Sequence, residues 1–180
     1  MLLLDSLYIN NSGGKILLEY LVEQLEKNKI PVFYLFDERC KDDFQNVPKR
    51  RKVYLKANLL NRHHFYRRKG GTFSQVLCFG NLAPTIPLKV PVYTYFHQTL
   101  FLETPDTLSI INKIKFKIKR MVLDSIKSNT NIWLVQSANI KKGLMSKFEL
   151  TKSQVKVMPF YPPLKKIEKI IIGERTDLYM

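Results

Sequence analysis

Several residues that could do chemistry come directly after apolar, strand-like segments of the chain. His97 and Gln98 follow the segment Val90–Phe96, and Asn81 follows another such segment. A histidine can act as a general acid or base near neutral pH, so His97 is a candidate catalytic residue. Amide and carboxylate side chains can bind a sugar or nucleotide, which makes Asn81, Gln98 and Glu103 candidate substrate-binding residues. A structural histidine and a turn-capping asparagine are the alternatives, and the residues alone leave them open.

Gly13 and Gly14 stand between the apolar segment Leu2–Ile9 and a helical pattern that begins at Ile16, and Ser12 or Asn11 can cap that helix. Backbone N–H groups at the start of a helix bind anions well when no side chain obstructs them, so both glycines are candidate substrate-binding residues. The segment lacks the GxGxxG fingerprint, and the chain lacks the P-loop lysine pattern. The alternative is that these glycines only allow a tight turn.

Metal and redox chemistry are not indicated. Cys40 and Cys78 lack metal-ligand spacing and are too few for a disulfide scaffold, which favours a reducing, cytoplasmic setting. No set of histidine, cysteine and acidic residues has metal-site spacing, so we expect no metal and no cofactor. The first residues lack the basic start of a signal peptide, and no apolar segment is long enough to span a bilayer.

The elements that must position these residues alternate between strand and helix. Predicted strands are Leu2–Ile9, Val32–Phe36, Lys52–Leu55, Gln75–Phe79, Val90–Phe96, Ile132–Val135 and Val155–Met158. Predicted helices begin at Ile16 and cover Asn58–Lys69, Leu108–Ser128 and Ser137–Lys147. This alternation predicts an α/β fold with a Rossmann-like, doubly wound and mainly parallel sheet. Since parallel strands end at one edge, the candidate residues should gather there.

Domain organisation follows from two prolines near the end of the chain. Tyr161, Pro162 and Pro163 are typical of a linker, because consecutive prolines cannot continue a helix or a central strand. We expect residues 1–160 to form one domain. Residues 161–180 are expected to be the linker and the stub of a second domain.

The charge is unusual, with 30 Lys and Arg against 15 Asp and Glu, a net charge of +15. Such an excess favours an anionic partner. Lys113, Lys117 and Arg120 lie on a predicted amphipathic helix, and Arg67 and Arg68 belong to a second basic zone. These residues could face an anionic membrane. A basic α/β module that binds a membrane surface or RNA and has no catalytic activity is therefore an alternative function. For the apolar side of the amphipathic helix we favour packing against the sheet over insertion into lipid.

RNA is the other anionic partner to consider. Phe65, Tyr66 and Phe73 are interleaved with basic residues, and aromatic side chains can stack on single-stranded bases. His63 and His64 lie on the same basic helix and are expected at the surface. However, the chain has no RNP, KH or helix-turn-helix signature, which disfavours a nucleic-acid partner.

Four segments, in order, resemble the N-terminal domain of bacterial family 4 glycosyltransferases, which have the GT-B fold. They are Tyr8–Gly14, Val76–Asn81, Val92–His97 and Trp133–Ser137, followed by Val155–Pro159. The resemblance covers about residues 2–163, and it rests on the order and spacing of the segments, since each motif by itself is loose.

The resemblance implies a hexosyltransferase that moves a sugar, with retention, from a nucleotide sugar to a glycan or lipid-linked acceptor. It places Gly13 and Gly14 near the donor phosphates and His97 near the transferred sugar. It also implies work at the cytoplasmic face of the membrane, in cell-surface polysaccharide synthesis, which would explain the charge. The family's donor-binding E-x7-E carboxylates belong to a C-terminal domain, so we expect a missing C-terminal domain or a partner chain to supply them.

Overall fold

Seven short apolar segments lie side by side in the computed structural model of the protein, which describes residues 1–103, 105 and 107–163. The strands are β1 (Leu2–Asp5), β2 (Val32–Asp37), β3 (Lys52–Leu55), β4 (Gln75–Cys78), β5 (Val92–Phe96), β6 (Ile132–Val135) and β7 (Val155–Val157). Every neighbouring pair is parallel, in the order β3-β2-β1-β4-β5-β6-β7. The predicted Rossmann-like α/β fold is therefore confirmed.

Four helices connect the strands: α1 (Ser12–Lys27), α2 (Leu59–Lys69), α3 (Ile110–Ile126) and α4 (Ala138–Phe148). Local side chains set several of their ends. Asn58 caps α2 by accepting a hydrogen bond from the backbone N–H of Asn61, and Ser137 caps α4 in the same way. At its other end α4 stops at Glu149, whose left-handed backbone cannot continue the helix.

The helices cover both faces of the sheet, as the alternation of side chains along each strand requires. Leu4 of β1 packs with Leu18 and Val22 of α1 in one core cluster. Its neighbour Leu3 points to the opposite face, where it packs with Phe65 of α2. Helices α3 and α4 add to the core on this second face, around the fully buried Trp133, Leu123 and Leu144.

The direction of winding reverses between β1 and β4, which are neighbours in the sheet. The chain moves from β1 outward to β2 and β3, then returns past β1 to β4 and continues outward to β7. The loops that leave β1 and β4 therefore go to opposite faces, and a crevice opens between them at the carboxyl edge. Ligands of open α/β sheets bind in such a crevice.

The start of the chain differs from the sequence prediction in one respect. β1 ends at Asp5, and the apolar Leu7 and Ile9 belong to the following loop, where they are buried. Helix α1 begins at Ser12, directly after Asn11, which is one of the two predicted caps, so Gly13 and Gly14 lie in its first turn. Both glycines have ordinary negative φ angles, which means that no left-handed turn explains them.

After β7 the described chain continues to Pro163. Phe160 returns to the α1 face of the sheet, where its ring packs against Tyr20, Phe79 and Tyr95. The predicted stub after the linker, residues 164–180, lies outside the described residues. The division into a domain and a linker with a stub therefore stays a prediction.

Candidate functional site

A cavity of about 930 Å³ lies at the carboxyl edge of β1, β4 and β5, at the crevice where the winding reverses. Its floor and walls come from the loop after β1, the amino end of α1, the loops after β4 and β5, and one side of α3. The lining residues include Tyr8, Ser12, Gly13, Gly14, Asn81, His97, Gln98, Phe101, Ile118, Lys119, Val122 and Gln136. The cavity thus brings together five of the predicted site residues from three separate loops.

The amino end of α1 opens into this cavity. Asn11 is extended and precedes the helix, but its side chain accepts no hydrogen bond from the first turn. The first N–H groups of a helix have no partner within the helix, so those of Ser12, Gly13 and Gly14 are free to meet a ligand. A β-carbon at Gly14 would stand 3.5 Å from Nε2 of His97, whereas one at Gly13 would meet no atom within 4 Å. Glycine at position 14 therefore keeps a narrow gap open beside the imidazole.

Two residues of the cavity hold left-handed backbone conformations. Ser12 has φ 53° and Asn81 has φ 67°, and they are two of the four non-glycine residues with positive φ among the described residues. Such conformations cost on the order of 1–3 kcal/mol unless the surrounding structure imposes them, and they cluster at ligand sites. Asparagine tolerates a left-handed backbone better than most residues, so this conformation is compatible with the residue type at position 81. The residue type gives no such indication at Ser12.

Asn81 joins the ends of β4 and β5. Its side-chain Oδ1 accepts hydrogen bonds from the backbone N–H groups of His97, at 2.8 Å, and Gln98, at 3.1 Å. The side chain is nearly buried, so these bonds fix the two residues after β5 relative to the loop after β4. Asn81 is thus a positioning residue for His97 as well as part of the cavity wall.

His97 lies half-buried between aromatic rings. Its ring centroid is 5.8 Å from that of Phe79 and 5.9 Å from that of Tyr95. Burial in these surroundings lowers the pKa of His97, because the charged imidazolium loses water that the rings cannot replace. Its Nδ1 atom is buried and has no hydrogen-bond partner among the described residues. The site therefore holds a neutral imidazole at pH 7, with hydrogen-bonding capacity left for a ligand.

A buried ion pair supports the loop that carries Asn81. Arg62 of α2 donates to Oδ2 of Asp5 at 2.8 Å, and to the backbone carbonyls of Leu82 at 2.9 Å and Ala83 at 2.6 Å. Burial disfavours the charge on Arg62, but Asp5 and its neighbours outweigh this, so the pKa of Arg62 is raised. The sequence analysis assigned no role to Arg62, which ties the carboxyl end of β1 to the loop after β4.

The charges around the cavity suit an anion. None of the described residues that line it is an aspartate or glutamate, and Lys119 of α3 is among them. The amino end of α1 adds a partial positive charge from the helix dipole. Tyr8 also lines the cavity, and burial raises its pKa to about 12, so its hydroxyl stays protonated. The cavity therefore presents donors and positive charge, with no described carboxylate to repel a phosphate.

Comparison with known proteins gives a structural match without a sequence match. No model of a known protein family matches the chain, and no curated protein matches it. Among solved structures it is similar to an alpha-glucosyltransferase in complex with UDP-glucose and DNA containing an abasic site, with a TM-score of 0.52 and 13% identity. The match covers 91% of this chain and 42% of that one. The chain folds like part of a glucosyltransferase.

The remaining predicted site residues lie outside the cavity. Glu103 is exposed and is not among the lining residues. Arg67, Arg68 and Lys117 are exposed, as anion-facing residues must be, while Lys113 and Arg120 are half-buried. The wall formed by Ile118, Lys119 and Val122 was not predicted, because it depends on how α3 is placed relative to the loops that follow the strands.

The aromatic residues that suggested RNA binding are not available for stacking. Phe65, Tyr66 and Phe73 are all less than 10% exposed and belong to the core under α2. Of the two histidines expected at the surface, His64 is exposed and His63 is half-buried. The structure therefore removes the main sequence argument for a single-stranded nucleic-acid partner.

The described residues contain neither a metal-binding cluster nor a membrane-spanning helix. Across residues 1–103, 105 and 107–163, no group of three or more histidine, cysteine or acidic residues could hold a metal ion. Over the same part of the chain, none of the helices combines the length and apolar character needed to cross a bilayer.

Proposed function

We propose that this chain is the acceptor-side domain of a two-domain glycosyltransferase that takes its sugar from a nucleotide-sugar donor. The observation that carries the proposal is the cavity at the crevice between β1 and β4. The uncapped amino end of α1 and Lys119 both contribute to it, and no carboxylate among the described residues does. The similarity to a glucosyltransferase bound to UDP-glucose supports the same kind of substrate here.

The donor phosphates would bind against the first turn of α1. Helix amino ends bind phosphate through free N–H groups and the helix dipole, and Gly13 and Gly14 let the ligand approach the backbone closely. Lys119, which lines the same cavity, would add a full positive charge. This arrangement needs no bound metal, since the protein itself supplies the positive charge.

His97 would contact the transferred sugar. A neutral imidazole in an apolar setting can donate or accept a hydrogen bond with a sugar hydroxyl, and Nε2 lies beside the gap left by Gly14. As the only histidine in the cavity lining, His97 is also our candidate general base. Gln98, held by Asn81, is proposed to bind the sugar or the acceptor.

We infer that a second Rossmann-like domain, or a partner chain, supplies the carboxylates that hold the donor. The chain spans only 42% of the matched glucosyltransferase, and its own cavity offers no described carboxylate. The acceptor is proposed to be a glycan or lipid-linked sugar of cell-surface polysaccharide synthesis, which suits the apolar wall of Phe101, Ile118 and Val122. A downstream or neighbouring reading frame that encodes such a domain with an E-x7-E motif would support this inference.

The test is an NMR titration of the ¹⁵N-labelled chain with UDP-glucose and with UDP up to about 10 mM, because this domain without the donor-holding carboxylates should bind both ligands weakly. We expect shifts in the amide signals of Gly13, Gly14 and the residues around Asn81 and His97. Gly14→Val should weaken binding by about tenfold or more, because its methyl groups fill the gap beside the imidazole.

Gly71→Val is the matched control, since a β-carbon at Gly71 meets no atom within 4 Å and the residue lies outside the cavity. It should leave the titration unchanged. Absence of shifts with both ligands, or shifts that Gly14→Val does not alter, would overturn the proposed site.

A further inference from the structure

Helix α3 exposes an apolar stripe to solvent. Its members are between 53 and 76% exposed, although all are large hydrophobic residues: Ile110, Ile111, Ile114, Ile118 and Met121. We call this set the α3 stripe. It contradicts the packing against the sheet that the sequence favoured.

The packing of α3 uses the opposite side of the helix. Leu123 is fully buried and Phe116 is partly buried in the core cluster of β5, β6 and α4. At 100° per residue, both lie about 180° around the helix from Ile114. The α3 stripe is therefore additional to the apolar surface that holds the helix on the domain, and folding of the described residues leaves it uncovered.

Lysines flank the α3 stripe on either side. Lys115 and Lys117 are both exposed, and the helical rotation places one at each border of the stripe. The only acidic residue of the helix is Asp124 near its end, which pairs with Lys127 at 2.8 Å. Lysine stems can run along an apolar surface while their ammonium groups reach outward to anions.

We propose that the α3 stripe and its flanking lysines bind the surface of an anionic lipid bilayer. The helix lies in the plane of the membrane, with its isoleucines at the boundary of headgroups and acyl chains and its lysines among the lipid phosphates. A 17-residue helix provides about 25 Å of such contact. The net charge of +15 adds a long-range attraction to the same surface.

The chemistry of the stripe separates this partner from two others. Protein–DNA interfaces are polar and strongly positive, so the five exposed apolar side chains of the α3 stripe would gain nothing from contact with a phosphate backbone. A second copy of this chain also carries a net charge of +15, so the lysines on both borders of the stripe would repel it. An apolar centre with cationic borders fits the interface of an anionic membrane.

The position of α3 connects this surface to the cavity. Ile118, a member of the α3 stripe, also lines the cavity together with Lys119 and Val122. A membrane-bound α3 would therefore hold the mouth of the cavity at the lipid surface, where a lipid-linked acceptor would reach it. This last step rests on the proposed function, but membrane binding itself does not.

The test is flotation of the protein with vesicles of phosphatidylcholine, either alone or mixed with phosphatidylglycerol. We expect binding to the mixed vesicles, little binding to phosphatidylcholine alone, and weaker binding as salt rises. Lys115→Gln with Lys117→Gln should weaken binding by about 30-fold, from about 1 kcal/mol per lysine. Ile110→Ser with Ile114→Ser should weaken it by about tenfold or more.

The matched controls change similar residues elsewhere on the surface. Leu60→Ser removes a 72% exposed leucine from α2, and Lys152→Gln with Lys156→Gln removes two exposed lysines near β7. Both control variants should bind vesicles about as well as the unchanged chain. The fluorescence of the buried Trp133 reports whether each variant is folded.

Three results would overturn the proposal. The first is binding that the α3 variants do not weaken more than the controls do. The second is tight, salt-sensitive binding to duplex DNA or single-stranded RNA, assayed alongside, without vesicle binding. The third is self-association that Ile110→Ser with Ile114→Ser abolishes, again without vesicle binding. Because no nucleotide sugar is present, the outcome is independent of the NMR titration.

Discussion

Replacement of the buried Arg62 by methionine should destabilise the domain much more than the same replacement of an exposed arginine would. Methionine keeps much of the apolar stem but removes every hydrogen bond of the guanidinium. The change leaves the carboxylate of Asp5 buried without its cation, and the carbonyls of Leu82 and Ala83 without a donor. Both ends of the ion pair are only 2% exposed, so water cannot replace the lost partner.

The expected loss is about 3–5 kcal/mol in the free energy of unfolding, the range for removal of one partner from a buried ion pair. The two carbonyls give a cross-check, because each buried group left unsatisfied costs about 1–3 kcal/mol. Tyr66 still donates to Oδ2 of Asp5 at 2.5 Å, and Leu7 donates to Oδ1 at 3.1 Å, so the carboxylate keeps two bonds. These two bonds favour the lower part of the range.

Urea unfolding followed by Trp133 fluorescence measures this change. Trp133 is the only tryptophan and is fully buried, so its emission should shift on unfolding. With an m value of about 1–3 kcal/mol/M, the midpoint should fall by more than about 1 M. Arg68→Met is the control, since Arg68 is exposed on the same helix and its loss should cost less than about 0.5 kcal/mol.

A double-mutant cycle with Asp5→Asn tests the reasoning more sharply. If Arg62 acts mainly through Asp5, the two changes together should cost clearly less than their sum, by about 1–3 kcal/mol. The reasoning is refuted if Arg62→Met costs less than about 1 kcal/mol, or if the two losses are additive.

Three further predictions concern the cavity edge and the core. Asn81→Ala should cost about 1 kcal/mol more than Asn81→Gly in thermal unfolding, because only alanine is strained at φ 67°; equal losses would contradict this. Burial raises the pKa of Cys40 to about 11 and that of Cys78 to about 12, so neither thiol should react with a thiol reagent at neutral pH until denaturant is added. Burial lowers the pKa of His97 in the folded state below its ordinary value of about 6.5. The neutral ring therefore leaves the domain fully stable above about pH 6.5, and stability is lost as the pH falls from 6.5 through the lowered pKa of the folded state. His97→Gln should make the unfolding midpoint depend less on pH over this window, and an unchanged pH dependence would contradict the inference.

Periodicity and turn residues were enough to predict most of the sheet. The strands at Lys52–Leu55 and Ile132–Val135 have the predicted bounds, because polar residues or turn formers enclose each short segment. β1 was predicted too long, since Leu7 and Ile9 are apolar for a different reason: they are buried in a loop that packs under the site. Hydrophobicity reports burial, and only strand pairing separates a strand from a buried loop.

The site residues that directly follow strands could be predicted from the sequence. Those supplied by helices could not. His97, Gln98 and Asn81 follow strands, so parallel topology alone brings them to one edge. The contribution of Lys119 depends on how α3 is placed relative to the strand ends, which no local pattern encodes. The same holds for Arg62, whose burial follows from the position of α2 over Asp5.

The interior position of β1 in the sheet bears on how the chain folds during synthesis. β1 precedes both of its neighbours in the chain, and Leu2 pairs with Gln75 of β4 as well as with Val32 of β2. Until β4 emerges from the ribosome, one edge of β1 lacks its strand partner, and an unpaired apolar edge can pair with another nascent chain. Pairing between segments so distant in sequence is also slow. Expression at low temperature weakens hydrophobic association between unfinished chains, so it should raise the soluble yield.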